Sequence, residues 1–336
     1  MSQSDGSLRL QNLARAYKHA GALKAGIKLD LFTVISHGAR EISQIAKETG
    51  LSHQNAQKLA DVCSSIGLLE FKDGLYHNAP DVERYLVKGE KSYLGPWLGS
   101  EEEEYFSLWS DIAPILKGDK PPVSTGVYEE PWKDLEAARR LNKSTYNVGI
   151  GGGYRLARLF DFSPYSLLLD LGGGSGAYCI AIASKYPKIK AVVIDYPTIC
   201  TSAEEFIAEA GLSDRITTHP GDLLEVDFPT GADVMLLSSN LPNFSNSGLK
   251  AIFRKAFDVM EKGGAMIVLG EAIYDDRSGP LQTALWYLDE SILGGRGETR
   301  TISETCDFLE EAGFINCKVS EFAPGLLTMM TAQKPK

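Results

Sequence analysis

A glycine-rich turn is the part of this sequence best suited to holding a small ligand. An apolar run at residues 168–171 predicts a strand, residues 172–176 read GGGSG, and a helix is predicted from about Ala177. Because glycine lacks a Cβ atom, such a turn lets the backbone approach a ligand closely. About twenty residues further on, Asp195 ends the next predicted strand, where a carboxylate accepts hydrogen bonds from ribose hydroxyls. Together these features predict a nucleoside-binding site.

The residues around the turn distinguish two classes of nucleotide ligand. The glycines and Ala177 also satisfy the G-x-G-x-x-A pattern of dinucleotide-binding proteins, so the turn alone leaves the ligand open. Asp170 lies two residues before the first glycine, and its carboxylate suits a cationic amino group but would repel a pyrophosphate. After a third predicted strand, Asp222 offers a carboxylate to an adenine amine and Leu223 an apolar surface to its ring. These residues favour S-adenosylmethionine over a dinucleotide.

From Leu168 to its C-terminus the chain resembles the small-molecule O-methyltransferases of bacteria and plants, the family of caffeate and hydroxyindole O-methyltransferases. The blocks that carry this resemblance are 170–176 DLGGGSG, 194–197 IDYP, 220–222 PGD, 262–264 KGG, and 300–301 RT ahead of 308–314 FLEEAGF. The N-terminal region resembles that family's winged-helix dimerisation domain, so the match covers nearly the whole chain. The resemblance implies S-adenosyl-L-methionine as cosubstrate or cofactor and a small-molecule substrate. Carried over by position, the nucleoside-binding residues are Gly172, Gly174, Asp195, Tyr196, Asp222 and Leu223, with Ser238 beside them.

The chain departs from this family at the position of the catalytic base. After the fourth strand, family members read Leu-His-Asp-Trp, and the histidine deprotonates the substrate hydroxyl. Here residues 241–244 read LPNF, and no histidine occurs beyond position 219. Two carboxylates orient the histidine in similar members; the first appears as Glu271, and the second position holds Thr299, next to Glu298. Proline cannot accept a proton, so the sequence predicts that no histidine is the base.

Loss of the base restricts the chemistry that the site can perform. A general base contributes about 10²–10⁴ in rate, so the acceptor should need none, as with a carboxylate, an ionised phenol or an electron-rich carbon. The candidate catalytic residues are the polar side chains of Asn240, Tyr146, Tyr178 and Glu271. Tyr178, just beyond the glycines, would face the sulfonium through a cation–π contact, or would serve packing alone.

Two alternatives to methyl transfer remain open at this point. Proteins that look like methyltransferases also use S-adenosylmethionine for hydroxylation, decarboxylation, pericyclic steps or cyclisation of its own aminobutyrate chain. A catalytically silent ligand-sensing module is the alternative from another class. The intact Asp195 and Asp222 favour real ligand binding in every case.

Alternating strands and helices must position these residues. Strands are predicted at 167–171, 191–195, 216–219, 234–238 and 265–270, with helices between them, and two further strands at 314–322 and 326–332 flank a Pro-Gly turn. Such alternation predicts an α/β fold with a doubly wound, mainly parallel sheet. The predicted division is a winged-helix dimerisation domain at 1–90, a connecting helical region at 91–155, and a Rossmann-like class I methyltransferase domain at 156–336.

The N-terminal region predicts helices followed by a β wing. An apolar pattern of helical period runs over residues 8–35, a helix is predicted at 52–66, and Asp73-Gly74 marks a hairpin turn. Helix, turn, helix and wing also occur in DNA-binding domains, but the would-be recognition helix has a single lysine. We therefore expect this region to have a structural role, in packing or in forming a homodimer, and not to bind DNA.

Bulk composition excludes several classes of function. The net charge of −10 argues against nucleic-acid binding, which depends on cationic side chains. No apolar run approaches the roughly 18 residues that span a bilayer, and the first residues do not resemble a secretion signal. The five cysteines are scattered without metal-ligand spacing, which predicts reduced thiols, no metal site and a cytoplasmic location.

Overall fold

The computed structural model describes residues 6–100, 109, 112–122, 133–293 and 297–336, in two compact units. The first unit extends to Ser107 and the second begins at Leu108. The structure describes only part of the predicted connecting region at residues 91–155. The predicted domain boundaries near residues 90 and 155 therefore stay predictions.

The N-terminal unit contains helices and one two-stranded hairpin. Its elements are α1 (Gly6–Arg15), α2 (Tyr17–Lys28), α3 (Leu31–Ser36), α4 (Ile42–Thr49), α5 (His53–Ser65), β1 (Leu69–Lys72), β2 (Leu75–Asn78), α6 (Pro80–Tyr85) and α7 (Gly95–Ser100). The pattern over residues 8–35 is divided among three helices; α1 and α2 meet at Ala16, and Asp30, in a left-handed conformation with φ 57°, separates α2 from α3. The predicted hairpin is confirmed: Asp73 and Gly74 both have positive φ and connect antiparallel strands.

The second unit is an α/β domain. Its elements are α8 (Ala113–Leu116), α9 (Leu135–Leu159), β3 (Leu167–Leu171), α10 (Ala177–Lys185), β4 (Lys190–Asp195), α11 (Pro197–Glu209), β5 (Ile216–Pro220), β6 (Val234–Ser238), α12 (Asn246–Val259), β7 (Ala265–Gly270), α13 (Leu281–Leu293), α14 (Ile302–Glu311), β8 (Ile315–Ala323) and β9 (Leu327–Gln333). All seven predicted strands are present.

These seven strands form a single sheet in the order β5-β4-β3-β6-β7-β9-β8. The first five in this order are parallel, whereas β9 pairs antiparallel with both β7 and β8. Strands β6 and β7 are almost wholly buried, which is why they read as continuous apolar runs with no alternation. The chain leaves β3 first towards β4 and later towards β6, so the strand order reverses at β3. In sheets of this kind, ligands bind beside that reversal, at the carboxyl ends of the strands.

Helix α9 contains the glycine run at residues 149–153, which is helical and tightly packed rather than a ligand loop. A Cβ atom at Gly149 would lie 3.0 Å from the Ala177 Cβ, and one at Gly153 would lie 2.7 Å from the Ala181 Cβ. The glycines therefore allow α9 and α10 to approach closely.

Two of the five cysteines form a disulfide, whereas the sequence predicted reduced thiols. Cys306 in α14 and Cys317 in β8 form a disulfide, with their Cα atoms 5.9 Å apart, whereas Cys63, Cys179 and Cys200 are free and buried. The pairing joins residues eleven apart that the α14–β8 turn brings together, a proximity that scattered spacing does not reveal. Within the described residues, no helix is both long and apolar enough to cross a membrane. No group of three potential metal ligands occurs among them either.

Candidate active site

The turn after β3 is held in a conformation that favours glycine. Gly172, Gly174 and Gly176 have φ values of 71°, 54° and 71°, which residues with a Cβ rarely adopt. A Cβ at Gly172 would also lie 2.5 Å from the amide nitrogen of Asn240. The sequence motif therefore has a double physical basis, in backbone conformation and in close packing.

Asp195 ends β4, Asp222 follows β5, and both carboxylates are already oriented by the protein. Asp195 accepts hydrogen bonds from the N–H groups of Gly174 (2.9 Å) and Tyr196 (2.8 Å), one at each carboxylate oxygen. Asp222 accepts one from the Tyr196 hydroxyl (3.0 Å) and one from the Leu224 N–H (2.8 Å). Each oxygen retains a free acceptor direction. The structure thus brings the predicted residues Gly174, Asp195, Tyr196 and Asp222 together.

Leu223, predicted to offer an apolar surface, is part of the hydrophobic core. It is only 6% exposed and packs in the core with Phe228 and Ile194. The neighbouring Leu224 is 43% exposed. The role of Leu223 beside an adenine ring stays a prediction.

Three buried polar side chains at the ends of β3, β6 and β7 lack partners. Asp170 Oδ1, Ser238 Oγ and both carboxylate oxygens of Glu271 have no hydrogen-bond partner at normal geometry. The other oxygen of Asp170 accepts the Cys179 thiol at 3.3 Å. Burial raises the pKa of Asp170 to about 7 and that of Glu271 to about 7, although the nearby Ser239 side chain and Leu241 N–H partly favour the Glu271 anion. Buried groups of this kind require a compensating partner, such as a cationic ligand.

Tyr178 lies in the second position of α10, at the same edge of the sheet. Burial raises the pKa of its hydroxyl to about 12; the carboxyls of Asp170 and Glu271 act in the same direction, and the Ser238 side chain acts against them. The Tyr178 hydroxyl is therefore close to this group of buried polar side chains. The structure brings together four residues that the sequence singled out separately: Asp170, Tyr178, Ser238 and Glu271.

Asn240 holds two loops together. Its side-chain amide donates to the carbonyls of Gly172 (3.0 Å) and Ser238 (3.0 Å), and its oxygen accepts from the Asn243 amide (3.1 Å). Both amide hydrogens are thus used by backbone acceptors. This geometry suits a residue that positions the glycine turn rather than one that acts directly on a substrate.

Pro242 lies in a short 3₁₀ turn, Leu241–Asn243, and its side chain is buried. The turn packs tightly against the following segment, because a Cβ at Gly297 would overlap the Pro242 carbonyl oxygen. Glu298 is bonded to the first residue of α12. Its carboxylate accepts from the Asn246 N–H (3.0 Å) and side-chain amide (2.7 Å) at the start of α12.

Arg300 braces the same turn, a role that the sequence patterns did not predict. Its side chain is 1% exposed and donates to the carbonyls of Leu241 (2.8 Å) and Phe244 and to the Asn246 side-chain oxygen (2.9 Å). These acceptors lie more than fifty positions away in the sequence, so no local pattern could reveal them. The family-like pair of residues 300–301 was the only signal in the sequence.

Tyr146 is not brought together with the other candidate residues. Its ring stacks on Phe206 of α11, with centroids 4.5 Å apart, and in the described part of the chain its hydroxyl makes no hydrogen bond. Helix α9 turns this side chain towards α11, whereas the helix presents Gly152 to Tyr178.

Comparison with known families gives two matches. The O-methyltransferase domain family matches residues 122–315, more than half of the chain, and the O-methyltransferase dimerisation domain family matches residues 11–88.

Individual relatives agree with these matches. A 3-hydroxy-5-methyl-1-naphthoate 3-O-methyltransferase from Streptomyces sahachiroi is 29% identical over 94% of this chain and 92% of that protein. The tetracenomycin polyketide synthesis 8-O-methyl transferase of Streptomyces glaucescens is 26% identical over 96% of both chains. The solved structure of human N-acetylserotonin methyltransferase in complex with SAM, 22% identical, superposes over 100% of both chains with a TM-score of 0.83, which establishes the fold. The protein belongs to the O-methyltransferase family and has the Rossmann-like fold of class I methyltransferases, with that family's dimerisation domain towards its N-terminus.

Proposed function

We propose that this protein transfers a methyl group from S-adenosylmethionine to a small molecule of the secondary-metabolite type, without a histidine base. The observation that carries the second half of this proposal is Pro242, which stands at the position of the family's histidine. The first half is supported by the retained glycine turn and by the oriented carboxylates of Asp195 and Asp222.

The site has the features that this cofactor requires. The turn at residues 172–176 leaves room for a nucleoside, and the free acceptor directions of Asp195 and Asp222 suit ribose hydroxyls and an adenine amine. The methionine portion carries an ammonium and a sulfonium, and the buried carboxyl of Asp170 lacks a compensating partner. When bound, the cofactor supplies an electrophilic methyl group. The chain's own residues bind it, exclude water and handle the proton of the acceptor.

Glu271 is the residue we propose for the proton. It is completely buried at the end of β7, its carboxylate oxygens lack partners, and it lies against the turn that holds Pro242. With no histidine to orient, this carboxylate accepts the acceptor's proton through a bridging water. Its pKa of about 7 is well placed for a base near neutral pH. Asn240 then keeps a positioning role, through its bonds to the glycine turn.

The names of the relatives indicate the range of acceptors. They include a hydroxynaphthoate and a polyketide, and a third relative, 25% identical over 91% of this chain, is an N,N-dimethyltransferase from Streptomyces rimosus. We propose an acceptor of similar size with a hydroxyl, an amine or a nucleophilic carbon. The alternatives are a non-methylating reaction of S-adenosylmethionine on the same fold, including its cyclisation, and a silent ligand-sensing module.

Mass spectrometry after incubation of the protein with S-adenosylmethionine separates these functions. Methyl transfer to a panel of naphthols, hydroxylated polyketides and amines yields S-adenosylhomocysteine and a methylated product. Cyclisation of the aminobutyrate chain yields methylthioadenosine with no acceptor present. We expect methyl transfer. In a separate binding measurement, Asp195→Ala should weaken cofactor binding by about 1.5–3 kcal/mol, the range for a hydrogen bond to a charged group. Methylthioadenosine as the sole product would reject methyl transfer, and binding without turnover of any compound would favour the sensing module.

We also propose a homodimer formed through the N-terminal unit. The dimerisation family covers residues 11–88, and helix α1 exposes Leu8, Leu10 and Leu13 by 49–61%. Such a row of apolar side chains is typical of a surface that a second chain covers. Light scattering should give twice the chain mass at micromolar concentration, and Leu10→Lys/Leu13→Lys should lower it. A wild-type protein with the mass of one chain would contradict the proposal.

A further inference from the structure

One glycine of helix α9 makes room for a side chain of the candidate site. A Cβ at Gly152 would lie 2.4 Å from the Tyr178 hydroxyl oxygen and 2.9 Å from the ring carbon that bears it. Real Cβ atoms essentially never approach other atoms this closely. The Tyr178 ring therefore occupies the space that any other residue at position 152 would need.

The neighbouring glycines differ in what they contact. Gly149 and Gly153 pack against the alanines of α10, so they bring the two helices together. Gly151 faces open space, and a Cβ atom there would have no neighbour within 4 Å. Gly152 alone in the run faces the phenol of Tyr178, so its role is separable from helix packing.

The far end of the Tyr178 side chain reaches the group of buried polar residues. The Ser238 side chain is its neighbour, and the carboxyls of Asp170 and Glu271 act on its hydroxyl. Both carboxyls are at most 1% exposed, and Asp170 Oδ1 and both Glu271 oxygens have no hydrogen-bond partner. An aromatic ring fixed beside two buried carboxyls is an environment that stabilises a cation, because the ring face and the carboxylates all present negative charge.

We infer that Gly152 is a positioning residue whose missing side chain fixes the Tyr178 ring at the sulfonium end of the site. The fixed ring and the carboxyl of Glu271 make the site prefer the sulfonium of S-adenosylmethionine to the uncharged thioether of S-adenosylhomocysteine, whereas the ammonium that suits Asp170 is common to both compounds. This inference rests on the proposed function. It assigns to this chain a structural device that helps release the product, since the product lacks the charge that the site recognises.

Calorimetric titration of both compounds into matched variants tests the inference. Gly152→Ala should raise the Kd of S-adenosylmethionine about tenfold, because it displaces the ring that makes the cation–π contact, and that of S-adenosylhomocysteine less than about threefold. Gly151→Ala is the control, because it adds the same methyl group to the same helix without a contact. Both Kd values of this control should stay within about twofold of wild type.

A second variant keeps the test independent of helix folding. Tyr178→Leu should lose the same preference for the charged compound, and Gly152→Ala/Tyr178→Leu should bind no more weakly than Tyr178→Leu alone, since the two changes act through one ring. Equal weakening of both compounds in Gly152→Ala, or an unchanged Kd ratio in Tyr178→Leu, would overturn the inference. A wild-type protein that binds neither compound would instead reject the proposed function.

Discussion

Glu271→Gln is expected to lower kcat by about 10²–10³ while the protein still binds S-adenosylmethionine, since a general base contributes about 10²–10⁴. Glutamine has the shape of glutamate but cannot accept the proton. The measurement is kcat at saturating S-adenosylmethionine. Any effect of Asp170 ionisation on cofactor binding is then excluded from the measured rate. His219→Gln is the matched control. That imidazole contacts the Asp227 carbonyl (3.0 Å), and its loss should leave kcat within about tenfold.

The pH dependence of kcat is a second test of Glu271 as the base. Burial raises the pKa of Glu271 to about 7, so the carboxyl is protonated and inactive below this pH. In wild type, kcat should rise with pH through about 7, and in Glu271→Gln this rise should be absent. A variant that keeps both its kcat and its pH profile would show that the acceptor reaches the site already ionised and that Glu271 is not the base.

As pH rises, the contribution of Glu271 to stability should fall while kcat rises. The folded pKa of Glu271 lies above the ordinary value of 4.5, so its contribution to stability is fully present below about pH 4.5 and is lost as pH rises through about 7. Glutamine does not titrate. Thermal unfolding between pH 5 and 8 should therefore show a smaller loss of stability in Glu271→Gln than in wild type.

Arg300→Met is expected to reduce the free energy of unfolding by about 3 kcal/mol or more. The guanidinium donates to Leu241, Phe244 and Asn246, and its loss leaves buried acceptors unpaired at about 1–3 kcal/mol each. Since the turn between Leu241 and Phe244 borders the site, turnover should fall as well. Denaturant unfolding and kcat/KM are the measurements.

Two other arginine variants show whether geometry or charge matters at this position. Arg277→Met is the control, because its side chain is 61% exposed and its pairing with Glu304 spans 3.6 Å; its effect should stay within about 0.5 kcal/mol. Arg300→Lys should recover only part of the loss, since an ammonium cannot match the planar fork of guanidinium donors. Equal stability of the Arg300→Met and Arg277→Met variants would contradict the role assigned to Arg300.

The strands and the proximity of Gly174 to Asp195 could be predicted because their signals are local. Residues 234–238 and 265–270 are unbroken apolar runs with polar ends, and burial in a parallel sheet requires such runs. Gly174 and Asp195 lie at the spacing set by one strand–helix–strand unit, and the structure joins them by a hydrogen bond of 2.9 Å. The proline at position 242 was visible for the same reason, since it interrupts a contiguous motif.

The rest depends on contacts between distant parts of the chain. Nothing near Arg300 in the sequence predicts that it braces a turn almost sixty residues earlier. Leu223 is buried because it packs with Phe228 and the sheet. The periodicity of apolar residues in the sequence does not determine this contact. Tyr146 was a reasonable candidate by residue type, but its ring stacks on Phe206, a contact that the sequence does not reveal.

The reversal of strand order at β3 places two neighbourhoods at this edge of the sheet, joined by the Asn240 amide that bonds to Gly172. The loops after β3, β4 and β5 carry the residues proposed for the nucleoside, and those after β6 and β7 carry Pro242 and Glu271. Substitutions of Pro242 or Glu271 would alter the proposed handling of the acceptor's proton without removing the bonds that orient Asp195 and Asp222. A lineage with this fold can therefore keep an inherited cofactor while it explores new reactions, and the loss of a histidine becomes a starting point for new chemistry.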